Sequence, residues 1–143
     1  GTVDIFIEPC LPMAQLVVLG ASPVAFALTN LAPQFHWATT SMLTTEATRE
    51  QVVVIATQGQ GDLDALKQAL SQKRTYIAFV GSTKKFRALA KKLEAEGCLS
   101  AQIDQIKAPA GLNIGAVTPE EIALSILSEL VSLRRAAVKS DGG

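Results

Sequence analysis

Four short stretches of the chain carry the residue types that hold phosphates and cofactors: Gly20, Ala21 and Ser22; Gly59 and Gly61; Gly81, Ser82, Lys84 and Lys85; and Pro109, Gly111, Asn113 and Gly115. Glycine lets a backbone N–H approach a bulky anion closely, and a lysine at a helix start adds charge. This chemistry is binding rather than bond-breaking. The single histidine, His36, stands beside Trp37 with no acid or nucleophile near it in sequence, which favours a structural role. Asp62, Asp64, Glu120 and Glu121 read as helix caps and first-turn charges, not as an acid/base pair. Cys10 and Cys98 lie far apart without metal-ligand spacing and read as small, reduced residues. No catalytic residue and no metal ligand is expected.

Each stretch has an innocent reading beside the binding one. Gly20–Ala25 (GASPVA) follows an apolar run and opens a helix, the context of a dinucleotide fingerprint. Ser22, however, stands at the second glycine position, and Pro23 removes an N–H donor. The acid expected about 20 residues further on is also missing. That region reads Ala38, Thr39, Thr40, Ser41, and the first acid is Glu46. Standard NAD binding is therefore disfavoured, leaving a plain turn or a modified anion site. Gln58–Gly61 is either a turn or a place of close ligand approach. Lys84 and Lys85 oppose the dipole of the helix they open, so they are either solvated or offset by a bound anion. The loop Ala108–Ala116 (APAGLNIGA) is apolar and constrained, and is expected to fold over the sheet edge and line a pocket.

The elements positioning these stretches alternate between short apolar runs and helical periods, the pattern of a parallel sheet covered by helices. Strands are expected at Val3–Ile7 (ended by Pro9 and Pro12), Leu16–Leu19, Phe35–Thr40, Val52–Ile55 and Tyr76–Val80. Ser22 and Pro23 suit an N-cap and first helical position of a helix running to about Leu31. Asp62 is expected to cap a helix burying Leu63, Leu66, Ala69 and Leu70. Phe86, Leu89, Ala90 and Leu93 mark another, stopped by Gly97. A short helical turn covers about Leu99–Ile103. Thr118–Glu121 (TPEE) forms a capping box for a last helix with Ile122, Ile126, Leu127 and Leu130 inward and Arg134 and Arg135 at its C-terminal end. The expected fold is α/β: a Rossmann-like, open, mostly parallel sheet with helices on both faces. All four stretches then fall at the carboxyl ends of strands, where such sheets bind ligands.

The 143 residues suffice for one domain with a real core, and 48% of them are hydrophobic. Acids and bases balance at thirteen each, giving no long-range attraction to nucleic acid or an anionic membrane. No apolar run approaches the roughly 18–20 residues of a membrane helix, so a soluble, cytoplasmic protein is expected. The start on Gly1 suggests a domain cut from a longer protein or a chain freed of a tag, and Ser140–Gly143 reads as a frayed tail.

Two strings, IAFVGSTKK (Ile77–Lys85) and IKAPAGLNIGAVTPEEIALSIL (Ile106–Leu127), resemble the C-terminal domain of the XdhC/CoxI family. That family comprises maturation factors of molybdenum hydroxylases such as xanthine dehydrogenase. The opening segment VDIFIEPCLPMAQLVVLGA is similar to the start of that domain, so the resemblance spans about Val3–Arg135. It implies a non-catalytic module that binds the molybdenum cofactor (molybdopterin, or its dinucleotide form) and protects it while its terminal sulfur is installed. The module would then pass the cofactor to the apo-enzyme, working with a cysteine desulfurase. A homodimer is left open. The sequence departs from the family at Ser22 and Pro23, at Asn113 (where the loop commonly reads GLDIG), and in lacking the family's N-terminal domain. The alternative is an NAD(P)-binding oxidoreductase or nucleotide-binding regulatory domain, supported by fold and the partial fingerprint. A third possibility is an interaction domain whose loops dock a partner protein.

Overall fold

The computed structural model describes residues 14–43, 51–71 and 76–142, with side chains to 136. The expected strand Val3–Ile7, Cys10 and Glu46 lie outside the described residues. In chain order the elements are β1 (Ala14–Leu19), α1 (Pro23–Leu31), β2 (Trp37–Thr40), β3 (Gln51–Ile55), α2 (Asp62–Leu70), β4 (Tyr76–Phe79), α3 (Thr83–Ala95), α4 (Ser100–Ile103), β5 (Ile106–Lys107) and α5 (Pro119–Gly142).

The strands form one sheet in the order β2-β1-β3-β4-β5, and every neighbouring pair is parallel. Parallel pairing leaves both faces to be covered, which explains why β3 is buried at all five positions. Register places Leu16 beside Val52 and Leu19 beside Ile55, so alternate side chains feed two separate cores. Leu16, Val18, Val52 and Val54 face α1 and α5, packing with Leu28, Ile126, Leu127 and Leu130. Val17, Val53, Ile55 and Phe79 face α2, α3 and α4, packing with Leu66, Leu89, Leu93 and Ile103. Full burial of each such side chain contributes about 1.5–3 kcal/mol. The α/β sheet with helices on both faces expected from the alternation is the observed one.

The order reverses between β1 and β3, where one chain direction leads to β2 and the other to β4 and β5. That crevice, at the carboxyl edge, is the ligand position of doubly wound sheets. The edge is tied beyond the strands. Ala56 N–H donates to Leu19 O at 2.8 Å, Val80 N–H to Ile55 O at 2.8 Å and Ala110 N–H to Phe79 O at 2.9 Å.

Three local expectations are corrected. Phe35 belongs to a 3-10 turn, Ala32–Phe35, and His36 is its left-handed cap (φ 64°) rather than a strand residue. The turn forms because Pro33 interrupts the α-helical bonding while fitting a first-turn position. Second, α5 continues to Gly142, so Arg134 is not at a helix end, and Ser140–Gly142 are helical rather than a frayed tail. Arg134 instead lies 4.2 Å from the centre of the Trp37 ring and donates to Phe35 O at 2.9 Å. Third, Asp62 is not a helix cap. Gly61 occupies that position at φ 79° and Asp62 begins α2.

Candidate functional site

The turn leaving β1 is shaped by a close crossing. Gly20 has φ 117°, and a Cβ there would collide with the Ala56 carbonyl oxygen, so glycine is required twice over. Ser22 caps α1 by accepting from Ala25 N–H at 3.1 Å. Its hydroxyl also donates to Ala56 O at 2.6 Å, tying the turn to the end of β3. Ser22 is only 6% exposed, so its side chain points away from the edge, whereas Gly20 and Ala21 are exposed. The serine at the second glycine position thus serves as cap and inter-strand tie, not as an obstacle on the ligand side.

Beside this turn a groove of about 430 Å³ opens between α1 and the end of β2. Its rim comprises Gly20, Phe26, Thr29, Thr39, Thr40 and Ser41, with Val18 and Ala25 beneath. The volume is at the lower end of the roughly 300–1,000 Å³ of small-molecule sites. Among the described residues, none that line the groove is charged. Phe26 is 61% exposed, an unusual state for an aromatic ring on a helix packed against a sheet. Sequence reasoning registered Thr39–Ser41 only as the place of a missing acid; the groove needs the β1–β2 register to be visible.

At the ends of β3 and β4 the glycine loops meet through Asp62. Its carboxylate accepts from the Thr57 hydroxyl and from Gly59 N–H at 2.9 Å, and pairs with Lys85 Nζ at 3.1 Å. Burial pushes this carboxyl up, but the bonds from Thr57, Lys85 and Gly59 outweigh it and hold it below the usual range. The charge at Lys85 is therefore offset in part from within the chain. Gly59 (φ 90°) and Gly61 (φ 79°) are left-handed and open: a Cβ on Gly61 would meet nothing within 4 Å. Ser82 caps α3 through Lys85 N–H at 3.1 Å, and Lys84 beside it is exposed. Gly81 is needed by packing, since a Cβ would press on the Phe79 ring at 2.5 Å.

The loop after β5 is fastened by a buried acid that sequence reasoning missed. Glu129, 9% exposed on α5, accepts from Gly111 N–H at 3.0 Å and Tyr76 Oη at 2.8 Å and pairs with Lys107 Nζ at 2.9 Å. Lys107 also donates to Pro109 O at 3.0 Å. Burial favours the neutral acid, yet the bonds from Lys107, Tyr76 and Gly111 win and hold Glu129 low. Burial and that carboxylate together push the Tyr76 hydroxyl up. Gly111 (φ 94°) lies so close to α5 that a Cβ would overlap Ser125. Ala108–Pro109 is a cis peptide. The signal for Glu129 was its place among Ile126, Leu127 and Leu130, an acid on an inward helix face.

The loop folds over the edge as expected, and Leu112 (44%) and Ile114 (52%) on it are exposed. Asn113 and Gly115 are exposed too. The capping box is formed as expected, with Glu121 N–H donating to Thr118 Oγ1 at 3.1 Å and Thr118 N–H to Glu121 Oε1 at 3.0 Å. Among the described residues no group of three His, Cys, Asp or Glu could hold a metal ion, and no helix is long and apolar enough to cross a membrane.

A doubly wound parallel sheet with its glycine turns gathered on the carboxyl edge defines a Rossmann-type domain. Residues 16–130 match the model of the XdhC Rossmann domain, and the chain belongs to that family. It is 27% identical to a probable xanthine dehydrogenase subunit from Bacillus subtilis, over 94% of this chain and 47% of that protein. It is 34% identical to the uncharacterized protein YqeB of Escherichia coli, over 62% of this chain and 16% of that protein. The chain thus spans less than half the length of either relative. A crystal structure of a xanthine dehydrogenase from Bacillus halodurans superposes with a TM-score of 0.70 at 25% identity, covering 87% of this chain and 44% of that one.

Proposed function

We propose that the chain is the cofactor-handling domain of an accessory factor for a xanthine dehydrogenase-type enzyme. In this reading it binds the molybdenum cofactor in the cytoplasm, shelters it during sulfuration by a cysteine desulfurase, and delivers it to the apo-enzyme. The XdhC family match over residues 16–130 carries the proposal. The relatives named as xanthine dehydrogenases support the assignment of pathway.

The residues present fit such a group in two respects. Gly61 and Gly115 leave open space where any other side chain would begin, so a bulky ligand could reach their backbone. Lys84 and the first turn of α3, capped by Ser82, offer positive potential for a phosphate. Gly59, Gly61, Gly81, Ser82 and Lys84 would hold the phosphate end, with Pro109, Asn113 and Gly115 bordering the pterin. The bound cofactor supplies the molybdenum centre and its terminal sulfur. The chain's own part is to position the group and limit its contact with water.

Titration of isolated molybdenum cofactor into the chain, alone and joined to the family's N-terminal domain, tests this. Saturable binding is expected. Absence of binding in both forms would overturn the proposal, as would thermal stabilisation by NADPH without stabilisation by the cofactor.

A further inference from the structure

The solvent face of α3 carries charge that the carboxyl-edge loops do not use. Phe86, Leu89, Ala90 and Leu93 turn inward to the core shared with α2 and β4. On the opposite face Lys84, Arg87 and Lys91 follow one another at i, i+3 and i+7, all exposed, with Ala88 and Ala95 exposed between and beyond them. We infer that this stripe is a docking surface for an acidic helix of a partner protein.

The stripe works against the helix that bears it. The first turn of α3 holds Lys84 and Lys85 and no acid, so both cations face the positive end of the helix dipole. Lys84 and Arg87 are three residues apart and Arg87 and Lys91 four, so each pair brings like charges together on the surface. Among the described residues the ion pairs are Lys67–Glu96, Lys85–Asp62 and Lys107–Glu129, and none of them involves Lys84, Arg87 or Lys91. A chain whose acids and bases balance thus gathers cations on one helix face at a cost to that helix. Such a face is complementary to an acid supplied from outside.

The occupant follows from the shape of the stripe. The rise from Lys84 to Lys91 is only about 10 Å, and Glu94 ends the stripe about one turn later. A nucleic-acid strand or an anionic membrane would run past that end and meet Glu94, and the balanced net charge exerts no long-range pull on either. An antiparallel helix with glutamates at i, i+4 and i+7 matches the stripe cation for cation. Ala88 and Ala95 keep the surface low between the charges, so a second helix can pack closely. Position gives the docking its use. The head of α3 is Gly81–Lys85, where the phosphate end of the cofactor has been placed, and Arg87 and Lys91 lead away from it. For its biological partner the inference rests on the proposed function: a protein that exchanges the cofactor or its sulfur with this domain.

The test uses the whole chain and a labelled alanine-rich helix of about 20 residues with glutamates at i, i+4 and i+7. Binding is read by fluorescence anisotropy and by amide shifts in a ¹H–¹⁵N spectrum. Saturable binding is expected, with shifts at Arg87, Ala88, Lys91 and Ala95 and severalfold weakening between about 0.05 and 0.2 M salt. Arg87→Glu should weaken the peptide at least about tenfold. The same substitution puts an acid four residues before Lys91, so its urea midpoint should equal or exceed that of the parent. A lowered midpoint would make the arginine structural and overturn the inference. So would no saturable binding, shifts confined to Gly81–Lys85, or equal binding of a peptide with the same glutamates spread round the helix. Equal affinity for a single-stranded oligonucleotide or for phosphatidylserine vesicles would overturn it as well. Peptide binding without cofactor binding leaves the docking face standing and defeats the proposed function; cofactor binding without peptide binding does the reverse.

Discussion

Replacing Glu129 should cost the domain stability in a way that its hydrogen bonds specify. Glu129→Ala leaves the Tyr76 hydroxyl and the Gly111 N–H without their acceptor, 2.8 and 3.0 Å away in the intact protein. Each buried group stripped of its partner costs about 1–3 kcal/mol. Lys107 is 42% exposed, so water takes over much of its pairing and its share falls to about 0–1 kcal/mol. The sum is about 2–7 kcal/mol, which urea denaturation at pH 7 reads directly as a lowered midpoint. Amide exchange at Gly111 should accelerate in the same variant. Acid behaviour supplies an independent check. The folded Glu129 carboxyl is held below its ordinary value of 4.5, so its contribution is complete above that value and is lost as the pH falls through the folded value. Glu129→Gln should therefore be less stable than the parent at pH 7 and lose less on acidification. A loss under about 1 kcal/mol for the alanine variant, with Gly111 exchange unchanged, would refute the account.

Gly20→Ala should destabilise by about 3 kcal/mol or more, because left-handed strain adds to the collision with Ala56, and thermal unfolding would show it. Arg134→Ala should cost about 1 kcal/mol through loss of the stacked guanidinium, with a changed emission of Trp37, the sole tryptophan. Asp62→Asn removes the counter-charge of Lys85, so pyrophosphate affinity measured by calorimetry should rise severalfold at low salt and less at high salt. Unchanged affinity at low salt would show that Lys85 does not face the anion.

The fold was legible because its signals are local. Leu16–Leu19 and Val52–Ile55 are continuous apolar runs, the mark of strands covered on both faces, and Ser22–Pro23 and Thr118–Glu121 are helix starts written in four residues or fewer. The site was legible only as a set of loops. What each residue does there depends on partners distant in sequence: Ser22 on Ala56, Asp62 on Lys85, Gly111 on Glu129. Composition left Lys84 and Lys85 either solvated or offset by a bound anion, and it could not show the pairing of Lys85 with Asp62. Apolar character placed Leu112 and Ile114 inside, but the loop's backbone is what is buried and bonded. The groove was hidden most completely, because Phe26 and Thr39 become neighbours only once α1 lies across β1 and β2.

The hydrogen bonds from Ala56 to Leu19, Val80 to Ile55 and Ala110 to Phe79 have a mechanical consequence. Each loop hangs from the last carbonyl of the neighbouring strand in the sheet, like successive treads of a staircase. The loops following β3, β4 and β5 are thereby referenced to one another and, through Ser22, to the turn after β1. A ligand of the proposed kind would meet a rim already assembled, with little of its binding energy consumed in ordering the backbone. Loosening one tread, for instance by cutting Gly111 free of Glu129, should relax the whole rim rather than a single loop.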